Sequence, residues 1–278
     1  MPELPEVEGY RHYLEATCLH QPIENIEVED AKLLTTDYAT LLETLRGASF
    51  TSTRRVGKNL FIFTDQPGTT VRMHFGMSGS LEYYHNSLDR PRHARIVFYF
   101  RGGFNLGFVC PRKFERVGLV ADVEAFLKKK KIGKDALELT VEDLNAALAN
   151  RKSVIKSTLL DQSVAAGVGN WIADELLFQA KIHPEKRANE LTVAEIAVLR
   201  EAIQLVLRTA IEKEARYAHF PESFLIHARA WDASPYGEET EQHLVCPRDG
   251  TPIEIIRVGG RTTYFCPSCQ QLPVPAVE

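Results

Sequence analysis

The chain has 278 residues, enough for two domains or one domain with appendages, and its 44% hydrophobic and 25% charged residues describe a soluble globular protein with a core to bury. No apolar run reaches membrane-spanning length and the acidic, proline-containing start is unlike a signal peptide, so the cytoplasm is the expected compartment. The formal net charge of −4 excludes bulk attraction to nucleic acid, and such a partner would need basic residues gathered on one face.

The chain opens Met1-Pro2-Glu3-Leu4-Pro5-Glu6-Val7-Glu8. A Met-Pro start normally loses its methionine, which leaves a secondary amine on Pro2 with the Glu3 carboxylate beside it. An α-amino group titrates near 7.7–8.0 against about 10.4 for lysine, so more of it is neutral and nucleophilic at pH 7. Attack by such an amine on an aldehyde-like carbon gives an iminium ion, an electron sink. The same residues also fit a helix start, with Pro5 in the first turn and Glu6 and Glu8 placed favourably against the dipole. That helix is expected over residues 5–17, with Val7, Tyr10 and Leu14 as its apolar stripe.

Between residues 50 and 120 the pattern changes to short aromatic and β-branched runs. Strands are expected at 59–64, 70–75, 80–84, 93–100, 104–109 and 115–120, separated by Gly and Asp/Asn turns, as in an antiparallel sandwich or barrel. Arg54, Arg55 and Lys58 form a basic cluster with no acid near them in sequence. Gly76 and Gly79 mark a turn around Met77. The run KKKKIGK (128–134) is a composition break and the expected linker.

Beyond the linker the chain becomes helical. Thr140 with Asp143, and Thr192 with Glu195, form capping-box patterns, the second ahead of Ile196, Leu199, Ile203 and Val206 at helical spacing. A helix is expected near 153–162, and another starts at Asn170 after the glycine-rich turn AAGVG, with Asn170 as N-cap and exposed amides suited to a phosphate. Two short strands around Gly259-Gly260 complete the chain.

Three of the five cysteines fall in the last 33 residues, while Cys18 and Cys110 are expected as buried thiols. Cys266-Pro267-Ser268-Cys269 is a CxxC knuckle with Cys246 one hairpin upstream. Zinc-ribbon spacing puts the fourth ligand at Asp249, with His243 competing through HxxC spacing. A hairpin this small has little core, so a structural Zn2+ would supply much of its folding energy.

PELPEVE, RRVGK, HFGMSGSL, PRKF, AAGVGNWIADELLF and RTTYFCPSCQ occur in that order. Together they resemble the formamidopyrimidine-DNA glycosylase family across residues 2 to about 270. The resemblance implies an α+β multidomain fold: a catalytic β-sandwich with flanking helices (1–132), a helix–two-turn–helix DNA-binding domain (133–235), and a zinc-finger hairpin with tail (236–278). It implies base-excision repair of oxidised purines in duplex DNA, with lyase activity by β,δ-elimination through a Schiff base. The protein would act as a monomer, near the bacterial nucleoid, with no small-molecule cofactor and no membrane partner.

Carried over by position, Pro2 would attack the sugar C1′ and Glu3 would move protons around the ribose, while Glu6 would shape the lesion pocket. Lys58, catalytic in this reading, would hold phosphates with His74, Asn170, Arg261 and Tyr236, and Lys152 would add to that anionic surface. Met77, Arg112 and Phe114 would fill the gap left by the extruded base.

Three departures stand out. The wedge loop reads Cys110-Pro111-Arg112-Lys113-Phe114-Glu115, without the family's aspartate and glycine, and Asp249 replaces a zinc-binding cysteine. Residues 219–237 resemble the short form of plant and fungal members rather than the bacterial glycine-rich lesion-capping loop. Ring-opened purines and further-oxidised guanines are therefore expected ahead of 8-oxoguanine. The rivals are an endonuclease VIII-like enzyme for oxidised pyrimidines, whose family typically begins PEGPE, a non-catalytic damage-binding protein, and an N-terminal-proline tautomerase.

Overall fold

In the computed structural model, residues 2–229 and 244–272 are described, and the chain divides into two compact units, Met1–Ile132 and Gly133–Glu278.

The first unit begins with α1 (Leu4–Cys18), which buries Val7, Leu14 and Cys18. Glu3 is its N-cap, and Glu3 and Glu6 bond each other's backbone N–H in a capping box. Then follow β1 (Ile23–Val28), α2 (Tyr38–Leu45), β2 (Phe50–Val56), β3 (Asn59–Thr64), β4 (Thr70–His74), β5 (Ser80–Tyr84), β6 (Ala94–Phe100), β7 (Asn105–Val109), β8 (Arg116–Val120) and α3 (Val123–Lys129). The strands form two four-stranded antiparallel sheets, ordered β1-β6-β7-β5 and β2-β3-β4-β8.

Alternation decides which side chains meet between the sheets. Leu60, Ile62, Val71, Met73 and Val117 from one sheet share a core with Ile26, Ile96, Phe98, Leu106 and Phe108 from the other. On the outer face of the second sheet, Val56 and Phe61 pack against Val123 and Leu127 of α3.

The six strands expected from pattern all form, each within one residue of its expected span. β1, α2, β2 and α3 escaped the pattern. In β1 a bulge between Ile23 and Asn25 spaces the two buried residues, Ile23 and Ile26, three apart, so the period of two is lost.

Two expectations are corrected. The basic cluster does have acid partners, brought by the fold: Arg55 pairs with Glu8 at 2.7 Å and Arg54 with Glu124 at 2.6 Å. The lysine run is only partly linker, because Lys128 and Lys129 form the last turn of α3, where the helix dipole favours cations.

The second unit contains α4 (Val141–Leu148), α5 (Ile155–Leu160), α6 (Asn170–Gln179), α7 (Val193–Glu212), β9 (Glu254–Val258) and β10 (Arg261–Phe265). Both expected capping boxes form, at Thr140–Asp143 and Thr192–Glu195. α6 is central, with every residue from Trp171 to Phe178 buried. Its N-cap is Gly169, so Asn170 sits one position further in than expected. β9 and β10 pair around Gly259 and Gly260, whose φ angles of +56° and +75° match a type I′ turn. Among the described residues, no helix is long and apolar enough to cross a membrane.

Candidate active site and nucleic-acid interface

Pro2 immediately precedes the N-cap of α1, and Glu3 is only 2% exposed. That burial holds a carboxylate next to Pro2. A short relay then ties α1 to the turn bearing Lys58. Glu8 on α1 bonds Arg55 Nε on β2 at 2.7 Å, and Arg55 donates to the carbonyl of Gly57 at 3.0 Å. Burial alone would push the Glu8 carboxyl up, but bonds to Arg11 and Arg55 outweigh it and hold the group below its ordinary value. Gly57 and Lys58 are the two loop residues of the β2–β3 hairpin, and Gly57, with φ +58°, takes the left-handed first position. Lys58 thereby sits at a turn tip.

His74 ends β4 and is paired across the sheet with Asn59 and Arg116. Burial first, and then Arg72, Lys58 and Arg116, push its imidazole down to about 4, so it is neutral near pH 7.

The loops carrying Met77 and Phe114 are built as one piece. A Cβ on Gly76 would lie 2.7 Å from the backbone carbon of Phe114 and 2.8 Å from the nitrogen of Glu115. One on Gly79 would lie 2.6 Å from Cγ of Glu115. The glycines thus let the Met77 turn close onto the 110–115 loop, and Ser78 donates to Glu115 Oε1 at 3.3 Å across the junction. Glu115 is fully buried, yet Met77 and Phe114 remain 36% and 52% exposed. The Arg112 guanidinium lies 5.6 Å from the Phe114 ring centre. Arg116 braces the loop by donating to the carbonyls of Lys113 and Glu115 at 3.1 and 2.6 Å. Cys18 and Cys110 are buried as expected, and burial pushes their thiols up to about 11 and about 12.

In the second unit, Asn170 Nδ2 donates to the carbonyl of Thr262 at 2.9 Å, which sets it beside Arg261 at the start of β10. Gln162 staples the glycine-rich turn, accepting from Gly167 N at 3.0 Å and donating to the carbonyl of Val168 at 2.9 Å. Gly259 packs so closely on α5 that a Cβ would lie 2.7 Å from Ser157 Oγ.

A buried charge network fixes the hairpin to α6, and sequence reasoning missed all of it. Lys156 Nζ, fully buried, reaches Asp174 Oδ1 at 2.6 Å, Thr263 Oγ1 at 2.7 Å and the carbonyl of Thr262 at 3.1 Å. Asp174 also accepts from Arg229 and from the backbone N–H of Tyr264. Glu175 accepts from the N–H groups of Leu225 and Ile226 at 3.1 and 2.9 Å. Lys152, the lysine singled out from sequence, is exposed one turn earlier. Lys156 lay one position from the buried Ile155, and that adjacency was the available signal.

Cys246, Asp249, Cys266 and Cys269 place one donor atom each within 4.8 Å of one another. A tetrahedron with Zn–S bonds of about 2.3 Å has edges of about 3.8 Å. The Cys246–Cys269 sulfurs are 3.8 Å apart, Cys266 Sγ lies 3.8 Å from Asp249 Oδ1, and Cys269 Sγ lies 3.5 Å from Asp249 Oδ2. Backbone N–H groups of Arg248 and Cys269 point at Cys246 and Cys266 sulfurs at 3.4 Å, as suits thiolates. The donor set therefore fits a structural Zn2+ with Asp249 as fourth ligand. Arg248 anchors this knuckle to the end of α6, donating to the carbonyl of Phe178 at 2.8 Å while its guanidinium lies 4.0 Å from the Phe178 ring centre. Tyr236 and His243 lie outside the described residues.

Three family models match successive parts of the chain. Residues 1–117 match the formamidopyrimidine-DNA glycosylase N-terminal domain, 132–221 the formamidopyrimidine-DNA glycosylase H2TH domain, and 244–272 the zinc finger found in FPG and IleRS. The chain is 38% identical to a formamidopyrimidine-DNA glycosylase of Pediococcus pentosaceus over 276 residues, covering 98% of this chain and 100% of that one. It is 32% identical to the Arabidopsis thaliana protein of that name over 292 residues, covering 98% and 71%. A crystal structure of the Lactococcus lactis enzyme, non-covalently bound to DNA containing an AP site, superposes with a TM-score of 0.85 at 30% identity, covering 97% and 100%.

Proposed function

The chain belongs to the formamidopyrimidine-DNA glycosylase family, and from that premise we propose that it excises oxidised purines from duplex DNA and then cleaves the abasic strand. The observation that carries the mechanism is Pro2 set against the buried, helix-capping Glu3, on a helix tied through Glu8 and Arg55 to the Lys58 turn.

With Met1 removed, the neutral nitrogen of Pro2 forms a bond to C1′ of the damaged nucleotide, and the C1′–base bond breaks, the base leaving with a proton. Opening of the sugar ring at O4′ gives an iminium between Pro2 and C1′. The iminium acidifies the C2′ hydrogen, whose loss expels the 3′ phosphate, and a second elimination expels the 5′ phosphate. Water hydrolyses the remaining iminium and restores the amine. Glu3 moves the protons, and Glu6, held in the same capping box, borders the lesion.

Extruding the base costs a few kcal/mol. Met77 and Phe114, exposed at the tips of interlocked loops, and Arg112 beside Phe114 offset part of that cost by occupying the vacated stack. Lys58, His74, Asn170 and Arg261 hold backbone phosphates, with Lys152 and Tyr236 as further contacts. The Zn2+ held by Cys246, Asp249, Cys266 and Cys269 stabilises the hairpin that presents Arg261. The working form is a cytoplasmic monomer on damaged double-stranded DNA, in a catalytic domain over 1–132, a DNA-binding domain over 133–235 and a finger over 236–278.

The Lactococcus enzyme has been crystallised with Fapy-dG DNA and with DNA containing an oxidised pyrimidine, so both lesion classes belong in the test. Base release is measured on duplexes carrying Fapy-dG, 8-oxoguanine, a further-oxidised guanine or an oxidised pyrimidine. The expected result is fastest release of the ring-opened and further-oxidised purines, with phosphates on both ends of the nick. Release of pyrimidines alone would support the endonuclease VIII-like rival, and tight binding without release would support the damage-binding one.

A further inference from the structure

Arg72 occupies the middle of β4, opposite Phe61 on β3 and Gly118 on β8, two residues before His74. Val71 and Met73 enter the core between the sheets, so alternation turns Arg72 and His74 to the outer face, the face that α3 partly covers. The guanidinium lies 4.8 Å from the ring centre of Phe126 on α3, and its Nε–H donates to Asn59 Oδ1 at 2.8 Å. The remaining four N–H groups have no acceptor among the described residues. No carboxylate pairs with Arg72 there either, whereas Glu8, Glu27, Glu29 and Glu124 serve Arg11, Arg55, Arg90, Arg95 and Arg54. Burial without a counter-charge pulls the guanidinium down to about 10, far below its ordinary value.

A largely buried cation with no acid beside it is costly unless an anion arrives to meet it. The neighbours show what sign of ligand the site accepts, since Arg72, Lys58 and Arg116 all act on the His74 imidazole, and all three carry positive charge. Stacking on Phe126 and the Asn59 bond hold the guanidinium plane still, leaving a fixed fork of donors suited to two phosphate oxygens. We propose that Arg72 is a further DNA-backbone residue, gripping the phosphate beside the one met by His74 and Lys58. The proposal rests on the DNA reading of that site. Arg72 positions the strand and reads neither lesion nor sequence.

The test measures Kd for two duplexes, one carrying a tetrahydrofuran abasic analogue and one undamaged, across a series of salt concentrations. Arg72→Met keeps an unbranched apolar stem over Phe126 and removes the charge. It should flatten the slope of log Kd against log salt by about 0.9, the loss of one phosphate contact, and weaken both duplexes by the same factor. Arg72→Lys should retain the wild-type slope. Arg72→Gln, which keeps a donor for Asn59, should repeat the methionine result and replaces it if the methionine variant fails to fold. An unchanged slope in the folded neutral variants, or a loss confined to the abasic duplex, overturns the proposal. Absence of salt-dependent binding by the wild type would instead remove the DNA reading of the whole site.

Discussion

Gly76 donates its N–H to Nδ1 of His74 at 3.2 Å, so the proton of the neutral ring lies on Nε2, the nitrogen that the proposed phosphate contact would use. The residue works as a dipolar donor in the free protein, because Arg72, Lys58 and Arg116 add to burial in opposing a charge there. The sign of its effect on stability follows. The unfolded chain takes up a proton at His74 near pH 6.5, whereas the folded chain resists until about 4. The stabilisation is complete above pH 6.5 and disappears as pH falls to 4, a loss of about 3 kcal/mol. Urea unfolding of wild type and His74→Gln at pH 7.5, 5.5 and 4.5 should show the gap between them narrowing or reversing as pH falls. A gap independent of pH would mean the imidazole titrates normally.

Lys156, Asp174 and Arg229 join α5, α6 and the chain after α7 to the edge of β10, and their value is geometric before it is energetic. The carbonyl of Thr262 accepts from both Lys156 and Asn170, so the network fixes Asn170 and Arg261 relative to each other. Lys156→Met should cost about 3–5 kcal/mol, because Asp174 then keeps its buried charge with one partner fewer. Lys156→Met combined with Asp174→Asn should recover part of that loss. Fluorescence-monitored urea unfolding of both variants measures it, and a single variant as stable as wild type would contradict the coupling. None of this was legible beforehand. Asp174 and Arg229 are 55 residues apart, and no local pattern reports a pairing of that separation. The capping boxes at Thr140 and Thr192 were legible because both partners lie within one turn. The zinc ligands were legible through spacing across a short hairpin, which fixes their separation whatever the rest of the chain does.

A net charge of −4 describes the whole molecule poorly, because Arg54, Arg55, Arg90 and Arg95 of the first unit are each paired with a carboxylate distant in sequence while Arg72 and Arg116 have none among the described residues. Alternation along β4 placed Arg72 on the outer face; that no acid reaches it depends on what α3 brings alongside, and only the fold shows that. The same holds for Arg54 and Arg55, which look like free cations in sequence and are paired in space. Six ordered motifs were enough to place the family, since each reports a local backbone requirement: a helix cap at Glu3, tight turns at Gly57 and Gly76, a cysteine knuckle at 266–269. The central claim concerns one atom, the nitrogen of Pro2. Borohydride added during turnover on Fapy-dG duplex should reduce the iminium and leave DNA covalently attached, and mass mapping should place the adduct on Pro2, with none formed by Pro2→Gly. Turnover with no trapped complex, or an adduct on a lysine such as Lys58 that survives Pro2→Gly, would contradict it.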